Sequence, residues 1–220
     1  MKVEKEVRYY FSHNRLNEVT VLLTKLGSYT HSYHEITTMY DNPNPEFTFY
    51  SKEIDGRLRL RYSKKVNSSV FGQASNNIDA SQCLVTWKRR IAENSDGAIR
   101  REEEVEYMVD AGEFESVKTI FEDVLRCKRT SSYERIRNFL LADSVQITCD
   151  QFPYGLMVEF ELRDGADEQV LIDTIEKAGL DLNDASSLSC DDMYFRLCEE
   201  QGIAILTDIS FADDTMPKIK

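Results

Sequence analysis

What this 220-residue chain lacks narrows its class before any motif is read. No apolar run approaches the roughly 18 residues of a membrane-spanning helix. The opening MKVEKEVRYY has no apolar core of the kind a secretory signal needs. Glycine (9) and proline (4) are too few for a fibrous or low-complexity chain, and no repeat or domain-scale linker appears. Cys83, Cys127, Cys149, Cys190 and Cys198 are odd in number, scattered and without a C-x-x-C pair. They read as free thiols of a reducing compartment, which places the protein in the cytoplasm. No cysteine has a histidine or other base nearby in sequence, so a nucleophilic thiol is not indicated. The only histidines, His13, His31 and His34, sit in no ligand motif. Positive charge is also short. A net charge of -12 argues against a surface that grips long nucleic acid, leaving an RNA 5′ end as the only nucleic-acid partner in question.

Alternation is what the chain has in abundance. Period-two patterning predicts strands over Val3–Tyr10, His34–Tyr40, Phe47–Ser51, Gly56–Ser63, Cys83–Ile91, Ala98–Val109, Tyr133–Leu140, Ser144–Asp150 and Leu156–Leu162. Helical spacing predicts Leu16–Leu26, Gly112–Arg126 and Asp167–Ala178, with a shorter stretch near Asp191–Glu200. At that last start, Asp191 and Asp192 read as helix capping rather than as a site. The longest loop expected runs from Asn67 to Gln82. Residues 1–200 read as one domain, and 201–220 as a C-terminal tail, an appendage with little periodicity from Thr207 onward. Runs of strands with a few helices, and no βαβ alternation, give a mainly β (α+β) fold: an eight-stranded antiparallel barrel with helices packed outside.

The polar faces of these strands are purified by charge. Glu4, Glu6 and Arg8 share one face, as do Arg57, Arg59 and Arg61. Thr86, Lys88 and Arg90 align, and so do Arg100, Glu102, Glu104 and Glu106. Arg135 alternates with Arg137 around Ile136, although Phe139 interrupts the pattern, and Glu159 with Glu161 around Phe160. One such strand alone is the pattern of a solvated charged face. Repetition over six strands is different, because like charges at i, i+2 and i+4 repel unless a counter-charge lies among them. A barrel with apolar faces outward and charged faces inward resolves this. Its arginines then need an anion, for which their planar forks suit phosphate. Its glutamates need cations, and their hard oxygens suit Mg²⁺ or Mn²⁺.

These strands resemble, in order, the motifs of the triphosphate tunnel metalloenzyme superfamily, also called CYTH. Its Glu-x-Glu-x-Lys strand is similar to Glu4-Lys5-Glu6-Val7-Arg8, with arginine replacing the usual lysine. Its Leu-Arg-x-Arg resembles Leu58-Arg59-Leu60-Arg61, and its Leu-Thr-x-Lys resembles Val85-Thr86-Trp87-Lys88. Arg100-Arg101-Glu102-Glu103-Glu104 is similar to Arg-x-Glu-x-Glu, and Glu159-Phe160-Glu161 to the closing Glu-Ile-Glu, preceded by Asp150 and Gly155. Tyr40-Asp41-Asn42-Pro43 resembles a Tyr-Asp-Thr-Pro turn. The family's basic Lys-x-Arg strand could be met by Lys128, Arg129, Arg135 or Arg137, of which the last two share a face. The resemblance implies a barrel tunnel and a metal-dependent hydrolase that cleaves the terminal phosphate of tripolyphosphate, a nucleoside triphosphate or thiamine triphosphate. The alternatives it carries are cyclisation of ATP and an RNA 5′-triphosphatase. A polyphosphate-binding module without catalysis is the rival of another class. By the same resemblance Glu4, Glu6, Glu159, Glu161 and Asp150 hold Mg²⁺ or Mn²⁺. Arg8, Arg57, Arg59, Arg61, Lys88, Arg100, Arg135 and Arg137 bind the phosphates. Glu102 or Glu104 ligates a second metal or orients water, with Lys88 offsetting charge. The implied partner is a small-molecule triphosphate, with no membrane, in a monomer or homodimer.

Overall fold

The computed structural model describes residues 2–49, 55–72, 81–91 and 98–220. Eight strands form the frame: β1 (Lys2–Phe11), β2 (Ser28–Asp41), β3 (Gly56–Val66), β4 (Ser81–Arg90), β5 (Arg100–Asp110), β6 (Lys128–Ala142), β7 (Val145–Phe152) and β8 (Gly155–Leu162). They pair antiparallel in the order β2-β3-β4-β5-β1-β8-β7-β6, and pairing of β2 with β6 closes the ring. A closed ring leaves no long unpaired edge. A two-residue β9 (Asp208–Ile209) adds parallel to β6. The helices are α1 (Leu16–Leu26), α2 (Phe114–Thr119), α3 (Glu168–Lys177) and α4 (Cys190–Gln201). None of them is long and apolar enough to cross a membrane.

Register explains why the charges turn inward. Glu6 lies opposite Glu161, Arg8 opposite Glu159, Arg57 opposite Lys88, and Lys88 opposite Glu104. With a side-chain period of two, one register puts every charged face inside, and a slip of one residue would put them all outside. The apolar faces drive that choice. Val7, Tyr9 and Phe11 of β1, Ile147 of β7, and Leu156, Val158 and Phe160 of β8 are buried against Val19 and Leu23 of α1 and Leu171 and Ile175 of α3. On the opposite wall Tyr40, Leu60 and Cys83 pack on Phe121, just past α2. Burying side chains of this size contributes about 1.5–3 kcal/mol each, so the outer shell holds the barrel shut around its charged interior.

One end of the barrel is apolar inside. Met39, Tyr133, Phe152 and Met157 share inward parity with the charged residues, and they are buried against Met193, Tyr194 and Leu197 of α4. Ser189 caps α4 by accepting from Asp192 N, and the Asp192 carboxylate accepts in return from Ser189 N (3.0 Å). The helix ends at Gly202, whose φ of 65° is left-handed. Tyr10 and Tyr154 donate to the carbonyls of Leu188 and Cys190, pinning the start of α4 inside this end.

Four expectations change. Phe47–Ser51 is not a strand over its described residues. Pro45–Phe47 forms a short helical turn, and Asp41 holds the next residues by accepting from Thr48 Oγ1 and Phe49 N (2.6 Å each), while Tyr50 and Ser51 lie outside the described residues. The helix expected over Gly112–Arg126 is a six-residue α2 continued by a wider turn over Ile120–Val124. Of the Asn67–Gln82 loop, Ser81 and Gln82 belong to β4 and 73–80 lie outside the described residues. The tail is also more than an appendage. Ile209 and Met216 are buried in the cluster on α4, and Ile219 lies where any side chain on Gly155 would collide (2.4 Å).

Candidate active site

The barrel encloses a cavity of about 650 Å³ whose walls are charged. Glu4, Arg8, Arg59, Arg61, Lys88, Glu104, Arg135, Arg137, Glu159 and Glu161 all line it, so the structure gathers residues spread over most of the sequence. Arg57, Arg100, Glu6 and Glu102 form a deeper layer beside it. Arg57 reaches Asp55 (3.1 Å) and Glu102 (3.7 Å), and Arg100 donates to Glu102 Oε1 (2.7 Å) and to the Ser187 carbonyl (3.0 Å). Arg90 pairs with Asp55 (3.2 Å) at the α4 end, whereas Glu106 is exposed at the opposite, open end. Near that mouth Phe139 lines the cavity, with His31 stacked on it (4.5 Å between centroids) and Tyr33 edge-on to His31 (5.1 Å).

Two ion-pair clusters divide the interior. In the first, Lys88 Nζ lies among four carboxylates: 2.6 Å from Glu4, 3.1 Å from Glu102, 3.7 Å from Glu6 and 3.8 Å from Glu104. Burial disfavours its ammonium, but Glu6, Glu102, Glu4 and Glu104 together hold its pKa above the ordinary value. Burial would raise Glu102 as well, yet Lys88, Arg8, Arg100 and Arg57 hold it well below the carboxylate range. Glu6, wholly buried, is pushed up chiefly by desolvation even though Arg8 pairs with it. Glu104 is pushed up to about 9 by burial and by its hydrogen bond with Glu4.

The second cluster holds arginines. Arg8 donates to Glu159 (2.5 Å), and the Glu159 carboxyl lies far below its usual range because Arg8, Arg137 and Lys88 outweigh its burial. Asp150 accepts from Arg137 Nε and Nη2 (2.7 Å each) and from Arg135 Nη1 (3.0 Å). Both its oxygens are thereby engaged by arginine, so in this structure Asp150 aims the clamp. Glu35, which the sequence did not single out, accepts from Arg135 Nε (2.7 Å) and Ser63 Oγ (3.1 Å). Its signal was its parity with Thr37 on a strand otherwise short of charge. The competition among basic residues before Asp150 is also resolved: Arg135 and Arg137 line the cavity, while Lys128 and Arg129 are exposed.

Several polar atoms in this interior have no hydrogen-bond partner. They include both Glu6 oxygens, Glu102 Oε2, Arg59 Nε, Arg135 Nη2 and the Tyr133 hydroxyl. A buried polar group left unmatched costs about 1–3 kcal/mol, so the site is built to receive something with both acceptor oxygens and positive charge. Among the described residues no three acidic, histidine or cysteine groups are already spaced around a metal position. The donor set nevertheless fits a hard divalent cation: it is all carboxylate oxygen, and neither Glu6 oxygen nor Glu102 Oε2 accepts a well-aligned hydrogen bond.

Neither a protein-family model nor a curated protein sequence matches the chain. Solved structures do. PH1012 from Pyrococcus horikoshii is similar at a TM-score of 0.61 and 16% identity, over 84% of this chain and 96% of its own. A Vibrio parahaemolyticus protein described as a candidate adenylate cyclase gives a TM-score of 0.58 and 15% identity, over 87% of this chain and 97% of its own. HpAC1 from Hippeastrum, described as a candidate adenylyl cyclase with a dominant triphosphatase activity, gives 0.56 and 12%, over 93% and 98%. Identities this low establish architecture alone: the chain shares with these proteins a closed eight-stranded antiparallel barrel.

Proposed function

We propose that the chain is a divalent-metal-dependent triphosphatase that draws a triphosphate into the barrel and releases its terminal phosphate. The observation that carries this reading is the pairing, in one cavity of about 650 Å³, of an arginine clamp with a carboxylate nest. A non-catalytic binder needs the arginines but has no use for Glu4 and Glu6. Phosphoryl transfer asks for positioning and charge neutralisation more than covalent chemistry. Arg8, Arg59, Arg61, Arg135 and Arg137 would grip the phosphate oxygens, with Arg59 Nε and Arg135 Nη2 already lacking partners. Arg57 and Arg100 act from behind by holding Glu102. Glu4 and Glu6, with Glu159 and Glu161, would hold Mg²⁺ or Mn²⁺, which supplies charge neutralisation on the phosphate chain. Lys88 offsets charge at the leaving oxygen. Of the two candidates for orienting the attacking water, Glu104 is favoured, because it lines the cavity while Glu102 is enclosed by Lys88, Arg57 and Arg100.

The test is a phosphate-release panel over tripolyphosphate, ATP, GTP, thiamine triphosphate and triphosphate-ended RNA, with Mg²⁺ and with Mn²⁺. Orthophosphate release is expected from at least one of the small triphosphates. Cyclic AMP with pyrophosphate from ATP would instead support the cyclase reading that the Vibrio neighbour's description raises.

A further inference from the structure

Lys88 sits where a positive ion would be expected among acidic ligands. Its side chain is only 8% exposed, and its ammonium lies within 4 Å of four carboxylates from two neighbouring strands, Glu4 and Glu6 of β1 and Glu102 and Glu104 of β5. Two of those carboxylates are incompletely served by it. Neither Glu6 oxygen nor Glu102 Oε2 accepts a well-aligned hydrogen bond, although Arg8 pairs with Glu6, Lys88 Nζ lies 3.1 Å from Glu102 Oε2 and both side chains are essentially inaccessible. Lys88 can bond closely to few of them at once: an ammonium has three donors, and only Glu4 lies at hydrogen-bonding distance with good geometry. One cation is therefore spread over a nest with more acid oxygens than it can satisfy.

We infer that Lys88 is a built-in counter-cation that in the free protein engages Glu4 and Glu6, the two carboxylates its nest shares with the proposed metal ligands, and must release them when Mg²⁺ or Mn²⁺ binds. Resting on the metal-dependent reading above, the inference adds a competition between a side chain and the metal. Those of the four acidic groups that are ionised repel one another at this distance, so the resident ammonium stabilises the metal-free nest. The same ammonium weakens metal affinity, because an arriving dication must displace it or share the nest with a like charge a few ångströms away. Lys88 lines the cavity, so on displacement it is free to swing toward the phosphate chain. Metal binding and the arming of a phosphate-binding cation become a single event.

The experiment is a calorimetric Mn²⁺ titration of chelator-treated protein with no triphosphate present. Lys88→Met is compared with the unmutated chain and with Arg89→Gln. Arg89 points outward on the same strand and pairs with Glu103, so its variant removes the same charge from elsewhere. Lys88→Met is expected to bind Mn²⁺ at least about tenfold more tightly than either. Its melting temperature without metal should fall, and its rise on adding Mn²⁺ should exceed that of the unmutated protein. Lys88→Gln gives the same comparison if the methionine variant does not fold without metal. In the unmutated protein, the protected ¹⁵Nζ resonance of Lys88 should move on adding Mg²⁺. Metal affinity no tighter in either Lys88 variant than in Arg89→Gln, or a Lys88 resonance indifferent to Mg²⁺, overturns the inference. Such a result in an enzyme that still cleaves tripolyphosphate leaves the proposed function standing. Tighter binding in a protein that cleaves no triphosphate supports the inference and removes the function.

Discussion

Glu35 is only 2% exposed, yet its carboxyl is lowered to about 2, because Arg135, Arg61 and Arg137 outweigh the cost of its burial. A carboxyl whose folded pKa lies below its free value of 4.5 contributes stability that is complete above that value and lost as pH falls toward about 2. Glu35→Gln should therefore flatten the acid limb of the melting temperature between those two pH values. At neutral pH it should cost about 3 kcal/mol, since Arg135, left with Asp150 alone, and Arg61 stay buried with one counter-charge fewer; a denaturant series at several pH values checks both. Tyr133 is the opposite case. Its hydroxyl is buried with no partner, so Tyr133→Phe should leave stability unchanged or slightly raised. Within the proposed function it should lower turnover several-fold, and comparing chemical denaturation with steady-state rates separates the two effects.

Helix α4 and the strands it meets show how an element can matter more than its sequence suggests. Met193, Tyr194 and Leu197 close one end of the barrel against Met39, Tyr133 and Met157. Leu197→Ala should cost about 2–5 kcal/mol through the cavity it leaves, measurable by thermal and denaturant unfolding. It should also let water into the closed end and reduce turnover. The strands themselves were legible because charge and apolar residues alternate with little error; α1 was read to its last residue because its spacing is uninterrupted. What failed to show has physical causes. Phe47–Ser51 has strand composition, but Asp41 reaches over to hold its backbone, and a side chain eight residues away leaves no periodic mark. The tail lacks periodicity because it is buried through isolated residues, Ile209, Met216 and Ile219, not along a face.

For the molecule as a whole, inverted polarity is the organising fact: an apolar shell outside the wall and charge within. Most inward-facing charged residues could be read from parity, since a strand offers only two faces. That reading missed Glu35 and did not separate the lining from the layer of Glu6, Arg57, Arg100 and Glu102 behind it. The pairing between strands could not be read from parity. Nothing in Asp150 or Lys88 alone says that one aims two arginines while the other sits among four glutamates, because these relations exist only once β1, β4 and β5, or β6 and β7, lie side by side. Parity also failed to say which end is closed, so Arg90 and Glu106 had no assigned depth until α4 marked it. The measurement that tests the account most directly is Mn²⁺-dependent orthophosphate release from tripolyphosphate by the unmutated chain and by the Glu4→Gln, Glu6→Gln double variant. Glutamine keeps the volume while removing the charge. The account predicts metal-dependent release by the unmutated protein and a loss of at least about a hundredfold in the variant, with circular dichroism showing that the variant still folds. A folded variant with full metal-dependent turnover would contradict it.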